Sequence, residues 1–207
     1  ASKSKDVDHR NCADYFRDNV FLTETVLSIP CKKFIYISTV DVYPQSSHSW
    51  KEDDKLIFNT GTPCLGLYGT SKFVSESLVV CSPNWLILRC AVLLNKYSRT
   101  NTIKRILDTS EHHNLFVSGA SEYNFVLASD LAKFIEMAIS NDLQGIYNVA
   151  SSDYVRLDAL VKEFNSDVTF SDYVYRLGKV NNRKICGVAP FFDKSTLEAV
   201  RQFSQEL

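Results

Sequence analysis

Lys33-Phe34-Ile35-Tyr36-Ile37-Ser38 is the stretch that decides how this chain folds. It is short, aromatic and β-branched, and it reads as a buried strand. A helix precedes it. From about Asn11 to Ser28, the residues Cys12, Tyr15, Phe16, Val20, Leu22, Val26 and Leu27 recur at helical spacing. Asn11 suits the N-cap, and Pro30 marks the stop. A long polar stretch over residues 45–66 follows the strand, and such connections often carry function. Tyr68 to about Val80 then reads as a second helix, and Asn84 to Arg89 as a second buried strand. Helices alternating with buried strands imply a parallel sheet covered on both faces. Ligands of such a sheet bind at the carboxyl ends of its strands, and Thr39 falls at one of them.

The remaining chain continues the alternation. Ile103 to Leu107 reads as a short helix, Leu115 to Val117 as a short strand and Phe125 to Leu127 as an extended piece. Asp130 to Ile139 is an amphipathic helix, Gly145 to Ala150 a strand, Leu157 to Phe164 a helix, and Thr196 to Phe203 the last helix. Val168 to Gly187 is mixed and basic, and no internal repeat is present.

Composition narrows the partners. The 207 residues are 45% hydrophobic and 23% charged, with a formal net charge of -1. That balance fits a globular α/β domain and argues against nucleic acid or an anionic membrane surface as the main partner. No run approaches the roughly 18 apolar residues of a membrane span. Cysteines at 12, 31, 64, 81, 90 and 186 show no C-x-x-C spacing, which argues against a zinc or redox motif. Scattered thiols suit a reducing compartment, so the expected location is cytoplasmic. His112 and His113 are adjacent, point different ways and read as a solvated loop rather than a metal site.

Tyr68 and Lys72 lie four residues apart at the start of a helix, so they share one face. A phenol with a pKa near 10 is a poor base at neutral pH. A nearby ammonium favours the tyrosinate and lowers that value. With the Thr39 hydroxyl to orient a substrate oxygen, the trio suits removal of a proton from an alcohol as a hydride leaves its carbon. A nicotinamide is the hydride acceptor this implies.

Phe34-Ile35-Tyr36-Ile37-Ser38-Thr39-Val40-Asp41-Val42-Tyr43, followed by Tyr68-Gly69-Thr70-Ser71-Lys72, resembles the extended short-chain dehydrogenase/reductases, the NAD-dependent epimerases and dehydratases of nucleotide sugars. The resemblance continues through Asn19-Val20, Leu86-Ile87-Leu88-Arg89, Asn124 to Leu131, and Gly145 to Ala150. It implies a partial Rossmann-like doubly wound sheet with a small α+β substrate lobe. Residues 1–98 and 124–150 would form the sheet domain, and 99–123 and 151–207 the lobe. By position it implies Tyr68 as catalytic acid or base, Lys72 as its support and ribose contact, and Thr39 as substrate orienter. Ser38, Ala1 and Ser2 would lie along the cofactor, which would be NAD or NADP. Asp41, Arg89, Arg176 and Arg183 would meet a nucleotide-sugar substrate, and a homodimer is compatible. The basic, aromatic cluster Tyr173, Tyr175, Arg176, Lys179, Arg183 and Lys184 offers arginines for a sugar diphosphate.

The sequence departs from the family pattern in ways that shape the expectation. The glycines, at 61, 66, 69, 119, 145, 178 and 187, form no G-x-x-G-x-x-G turn, so the N-terminal βαβ units are expected to be missing. Pro44 replaces the usual glycine after Val42-Tyr43, and Cys90 to Asn95 replaces the usual Asn-x-x-Gly turn. Val40-Asp41 keeps one carboxylate of the Asp-Glu pair of the family's dehydratases, which favours epimerisation or ketone reduction. The absent turn also supports a second reading, a non-catalytic chain that binds or completes a partner's sheet.

Overall fold

The computed structural model describes residues 12–44, 47–56, 66–175 and 178–207. Helix α1 (Cys12–Tyr15) passes through a π-helical segment (Phe16–Phe21) into α2 (Leu22–Leu27). The widened turn surrounds Asn19, whose carbonyl accepts from Thr23 Oγ1 at 2.5 Å and Ser75 Oγ at 3.1 Å. Side-chain donors of this kind disturb the regular helical ladder. Strand β1 (Phe34–Thr39) follows, then a 3-10 turn at Val40–Val42 and helix α3 (Gly66–Val79).

Strands β2 (Trp85–Cys90) and β3 (Val92–Leu94) come next, then α4 (Thr102–Leu107), capped by the Asn101 side chain. Short strands β4 (His113–Asn114), β5 (Glu122–Tyr123) and β6 (Phe125–Leu127) lead into α5 (Ala128–Ser140) and β7 (Gly145–Val149). The chain closes with β8 (Val155–Arg156), α6 (Leu157–Phe164), β9 (Val168–Thr169), α7 (Arg183–Val188) and α8 (Thr196–Ser204). A capping box joins Ser195 and Glu198 at the start of α8.

The strand expected at Leu115–Val117 lies two residues earlier, at His113–Asn114. It pairs in parallel with β9, and Leu115 N–H extends the pairing to the Thr169 carbonyl. Leu115 belongs to the buried cluster, so the apolar residues that suggested a strand there serve packing. The mixed stretch before Gly187 holds α7, hidden from sequence periodicity because its six residues include Gly187.

The main sheet runs β1–β2–β7, all parallel. Its register sets Thr39 beside Cys90, and Cys90 beside Val149, so the three carboxyl ends are level. Both faces are covered. On one, Leu86, Leu88 and Val149 pack with Phe134 and Ala138 of α5, Ile185 of α7 and Phe192. On the other, Tyr36 and Ile87 pack with Val79 of α3. A second cluster unites Leu94, Ile103, Phe125, Leu157, Leu160, Val200 and Phe203. The segments meet closely at Gly178, where a Cβ would come within 3.0 Å of the Pro44 carbonyl oxygen.

A polar assembly built on an ion pair crosses the apolar interior. Arg89 on β2 reaches Glu76 on α3 at 2.7 Å, with both side chains only 4% exposed. Its Nε also faces both Glu76 oxygens, and Nη1 donates to Tyr43 Oη at 2.8 Å. Ser38 donates to the same carboxylate. Tyr43 passes the chain on to Asn148 Oδ1 at 2.8 Å, and Asn148 Nδ2 donates to the Trp50 and Asn181 carbonyls. Burial opposes the Arg89 charge, but Glu76 more than restores it. Removing one member of such a pair leaves an uncompensated buried charge. Glu76→Leu alone and Arg89→Met alone are therefore each expected to lose about 3–5 kcal/mol in urea unfolding. The double variant should lose clearly less than the sum, the sign of direct coupling.

Candidate active site

The site grows from the carboxyl end of β1 and the first turns of α3. Thr39 is 7% exposed and begins the turn that ends the strand. Its Oγ1 accepts from Asp41 N–H at 3.2 Å and donates to Asp41 Oδ2 at 3.2 Å. Tyr68, half-buried, and Lys72, buried, lie four residues apart on α3. Lys72 Nζ donates to the Ile37 carbonyl at 2.7 Å, two residues before Thr39. β1 and α3 thus bring Thr39 and Lys72 to one strand end, with Tyr68 one helical turn from the lysine. Asn19 Nδ2 donates to Ser71 Oγ at 2.9 Å and holds α3 to the preceding helix beside this turn.

Electrostatics follow from burial. Burial pushes the Lys72 ammonium below its ordinary value, and Tyr68, Cys90 and Glu76 act to raise it. Burial also pushes the Cys90 thiol up to about 12, with Lys72 opposing. Cys90 is therefore a neutral thiol, and Cys31, Cys81, Cys90 and Cys186 form no disulfide.

Asp41 is the second titratable centre. Burial raises its carboxyl above the ordinary range, while hydrogen bonds from Tyr175 and Thr39 lower it. Tyr175 Oη donates to Asp41 Oδ1 at 3.0 Å, and the Tyr175 ring lies 5.1 Å from that of Tyr123. Burial and the Asp41 charge raise the Tyr175 phenol well above 10, so it remains a donor.

The structure does not bring together every residue expected at the site. Ser38 is turned inward to Glu76. Arg89 is a correction: at 3% exposure, with its guanidinium spent on Glu76 and Tyr43, it has no free face for a substrate. Arg183 is exposed and lines a cavity of about 440 Å³ with Lys51, Glu52, Asp53, Asn181 and Lys184. Ala1, Ser2 and Arg176 lie outside the described residues. His112 and His113 make hydrogen-bond contacts with Asp167 and Asp108, at 2.9 and 3.0 Å respectively. Glu76 escaped the sequence reading, although a lone arginine in an apolar strand and a carboxylate four residues past Lys72 were both visible.

A family model described as the NAD dependent epimerase/dehydratase family matches residues 1–150. A search of curated proteins gives no match. Solved structures do match. The UDP-glucuronic acid 4-epimerase from Bacillus cereus, in complex with UDP-glucuronic acid and NAD, aligns at TM-score 0.72 and 19% identity, covering 93% of this chain and 68% of that one. The dTDP-glucose 4,6-dehydratase from Bacillus anthracis, in complex with NAD, aligns at 0.73 and 16%, covering 99% and 71%. RMD from Pseudomonas aeruginosa, complexed with NADPH, aligns at 0.76 and 14%, covering 100% and 80%. At these identities the likeness is one of fold.

The Asp41–Tyr175 contact sets a titration. A carboxyl whose folded pKa is raised makes the fold most stable below its unfolded pKa, near 4, and that contribution fades as pH rises through the folded value. Tyr175→Phe removes a donor that favours the carboxylate, so the Asp41 pKa should rise further. Carboxyl 13C NMR checks the direction, and the variant should lose about 1.5–3 kcal/mol at neutral pH, where the buried carboxylate is left with one donor fewer.

Proposed function

Because the chain belongs to the NAD-dependent epimerase/dehydratase family, we propose that it serves as an NAD(P)-dependent epimerase or ketoreductase of a nucleotide sugar, with Thr39, Tyr68 and Lys72 as its proton-transfer site. The observation that supports this reading is the buried Lys72 ammonium on the Ile37 carbonyl, two residues before Thr39 near the carboxyl end of the same strand, with Tyr68 one turn earlier on the lysine's helix. The described residues suit the nicotinamide-ribose end of a dinucleotide. Lys72 has three ammonium protons and gives one to Ile37, leaving donors for a ribose diol. The bound dinucleotide supplies the hydride acceptor that no side chain can be.

Each residue then has one task. Tyr68, as the tyrosinate that the Lys72 charge favours, takes the proton of the substrate hydroxyl and becomes the neutral phenol. Thr39 directs its hydroxyl to the reacting oxygen. Its bond to Asp41, at 3.2 Å, is long enough to yield to a substrate acceptor. Asp41 is a single carboxylate hydrogen-bonded by Tyr175, which favours substrate positioning over elimination. Residues 1–98 and 124–150 would carry the dinucleotide side, and 99–123 with 151–207 the sugar side. Arg183 is exposed and, in a cavity it shares with Lys51, Lys184, Glu52 and Asp53, is the arginine we assign to a diphosphate.

The scattered glycines favour a second reading, a non-catalytic member that acts by binding. Titration of the 207-residue chain with NAD and NADP, followed through Trp50 and Trp85 fluorescence, separates the two. Saturable binding, with turnover of a UDP-sugar, is expected. Tyr68→Phe should then lower turnover by about 10²–10⁴-fold without changing the melting temperature. Retained turnover in that variant would remove Tyr68 from the mechanism, and absent cofactor binding would favour the non-catalytic member.

A further inference from the structure

Two groups on β1 hold the Lys72 ammonium. One is the Ile37 carbonyl at 2.7 Å. The other is the ring of Tyr36, whose centroid lies 4.2 Å from Nζ. The strand register explains the first. Phe34 N–H donates to the Asn84 carbonyl, so residues 34, 36 and 38 turn their backbone groups towards β2, and residues 35, 37 and 39 turn theirs away. The Ile37 carbonyl therefore faces the side of β1 that β2 leaves unpaired, and Lys72 is its donor.

Side-chain alternation explains the second. Tyr36 and Ser38 point to the same face of the sheet, the one covered by α3. Tyr36 is 8% exposed and packs with Val79 and Ile87. Its hydroxyl approaches Thr23 and Ser75 but makes no well-formed hydrogen bond. Both neighbouring hydroxyls spend their protons on backbone carbonyls, Thr23 on that of Asn19 and Ser75 on those of Asn19 and Ser71. An unpartnered buried hydroxyl is unfavourable, so what this position contributes is the aromatic ring.

Among the described residues, the charged and titratable groups around Lys72 are few. Tyr68 and Glu76 come from α3, Cys90 from β2 and Tyr36 from β1. The Glu76 charge is matched by Arg89, and Cys90 is a neutral thiol. Neither is an anion free to balance the lysine. Among the described residues, what remains is a carbonyl dipole and the electron-rich face of a ring, in a site where loss of water strengthens both.

We propose that Tyr36 is a positioning residue for Lys72: its ring face, with the Ile37 carbonyl, fixes the ammonium one helical turn from Tyr68 and keeps it charged there. The assignment rests on the reading of Lys72 as the cation that serves Tyr68. Without the ring, Lys72 gives up its proton at lower pH and ceases to favour the tyrosinate.

The test is an NMR titration of the Lys72 13Cε resonance in the full 207-residue chain without cofactor, assigned by comparison with Lys72→Met. Tyr36→Phe keeps the ring and should titrate within about 0.3 pH unit of the parent, while Tyr36→Leu should lower the midpoint by about one unit. Should the leucine variant fail to fold, Tyr36→Phe with ring-fluorinated phenylalanines keeps the shape and drains the ring face. The midpoint should then fall stepwise with the number of fluorines. An unchanged midpoint in a folded Tyr36→Leu, or across the fluorinated series, overturns the proposal. The readout requires no turnover, so an inactive chain with the expected titration counts against the catalytic reading and leaves the role of Tyr36 standing.

Discussion

The buried pair of Arg89 and Glu76 is the constraint on which the rest of the structure depends. β2 is covered on both faces, and its run from Leu86 to Cys90 is almost free of solvent. A guanidinium in that position is tolerable only with a carboxylate opposite and an acceptor for each of its nitrogens. Glu76 provides this from α3, and Ser38 and Tyr43 complete the two ends. The pair therefore fixes the rotation of α3 about its axis and its height above β1. Apolar packing alone, through Val79 and Ile87, would permit a slide that a bidentate hydrogen bond does not.

The same network extends to the far side of the sheet. Asn148, fully buried on β7, accepts from Tyr43, donates its amide to two carbonyls and gives its backbone N–H to Glu52 at 2.8 Å. The segment around Trp50 is thereby held against the sheet, and its parallel bridge to Val180 brings in the C-terminal part of the chain. Asp41 and Tyr175 make a second link between these parts at the strand's carboxyl end. The first link is buried and satisfied. The second joins half-buried groups, so of the two it is the one a ligand could exchange for its own contacts.

Strands and helices with strong periodicity were legible in the sequence. The central strands, α5, α6 and α8 lie within a residue or two of their expected places, because two-sided burial and amphipathic spacing leave an imprint in composition. Two-residue strands such as β5 and β8 leave none, since their pairing is decided by tertiary contact. Thr39, Tyr68 and Lys72 were picked out by spacing and order, and the structure places Lys72 on the Ile37 carbonyl, two residues from Thr39. The inward turn of Arg89 was not legible, because an arginine that meets a diphosphate and one that meets a buried glutamate look alike in one sequence. Tyr36 was visible as a strand residue, but its contact with Lys72 depends on strand rotation, which hydrophobicity does not encode.

Tyr68, Lys72 and Glu76 follow one another at intervals of four on α3, and that stripe joins chemistry to architecture. Glu76 sits on the strand bearing Arg89, and Lys72 on the strand bearing Tyr36 and Ile37. Tyr68, at the exposed end of the stripe, inherits its position from the two below it. A tyrosine and a lysine four apart occur on many helices by chance. The same pair followed four residues later by a carboxylate, opposite a lone arginine in the next apolar strand, states where the helix must lie. The helix is anchored by the buried ion pair of Glu76 and Arg89 one turn away, so Lys72 need not hold it.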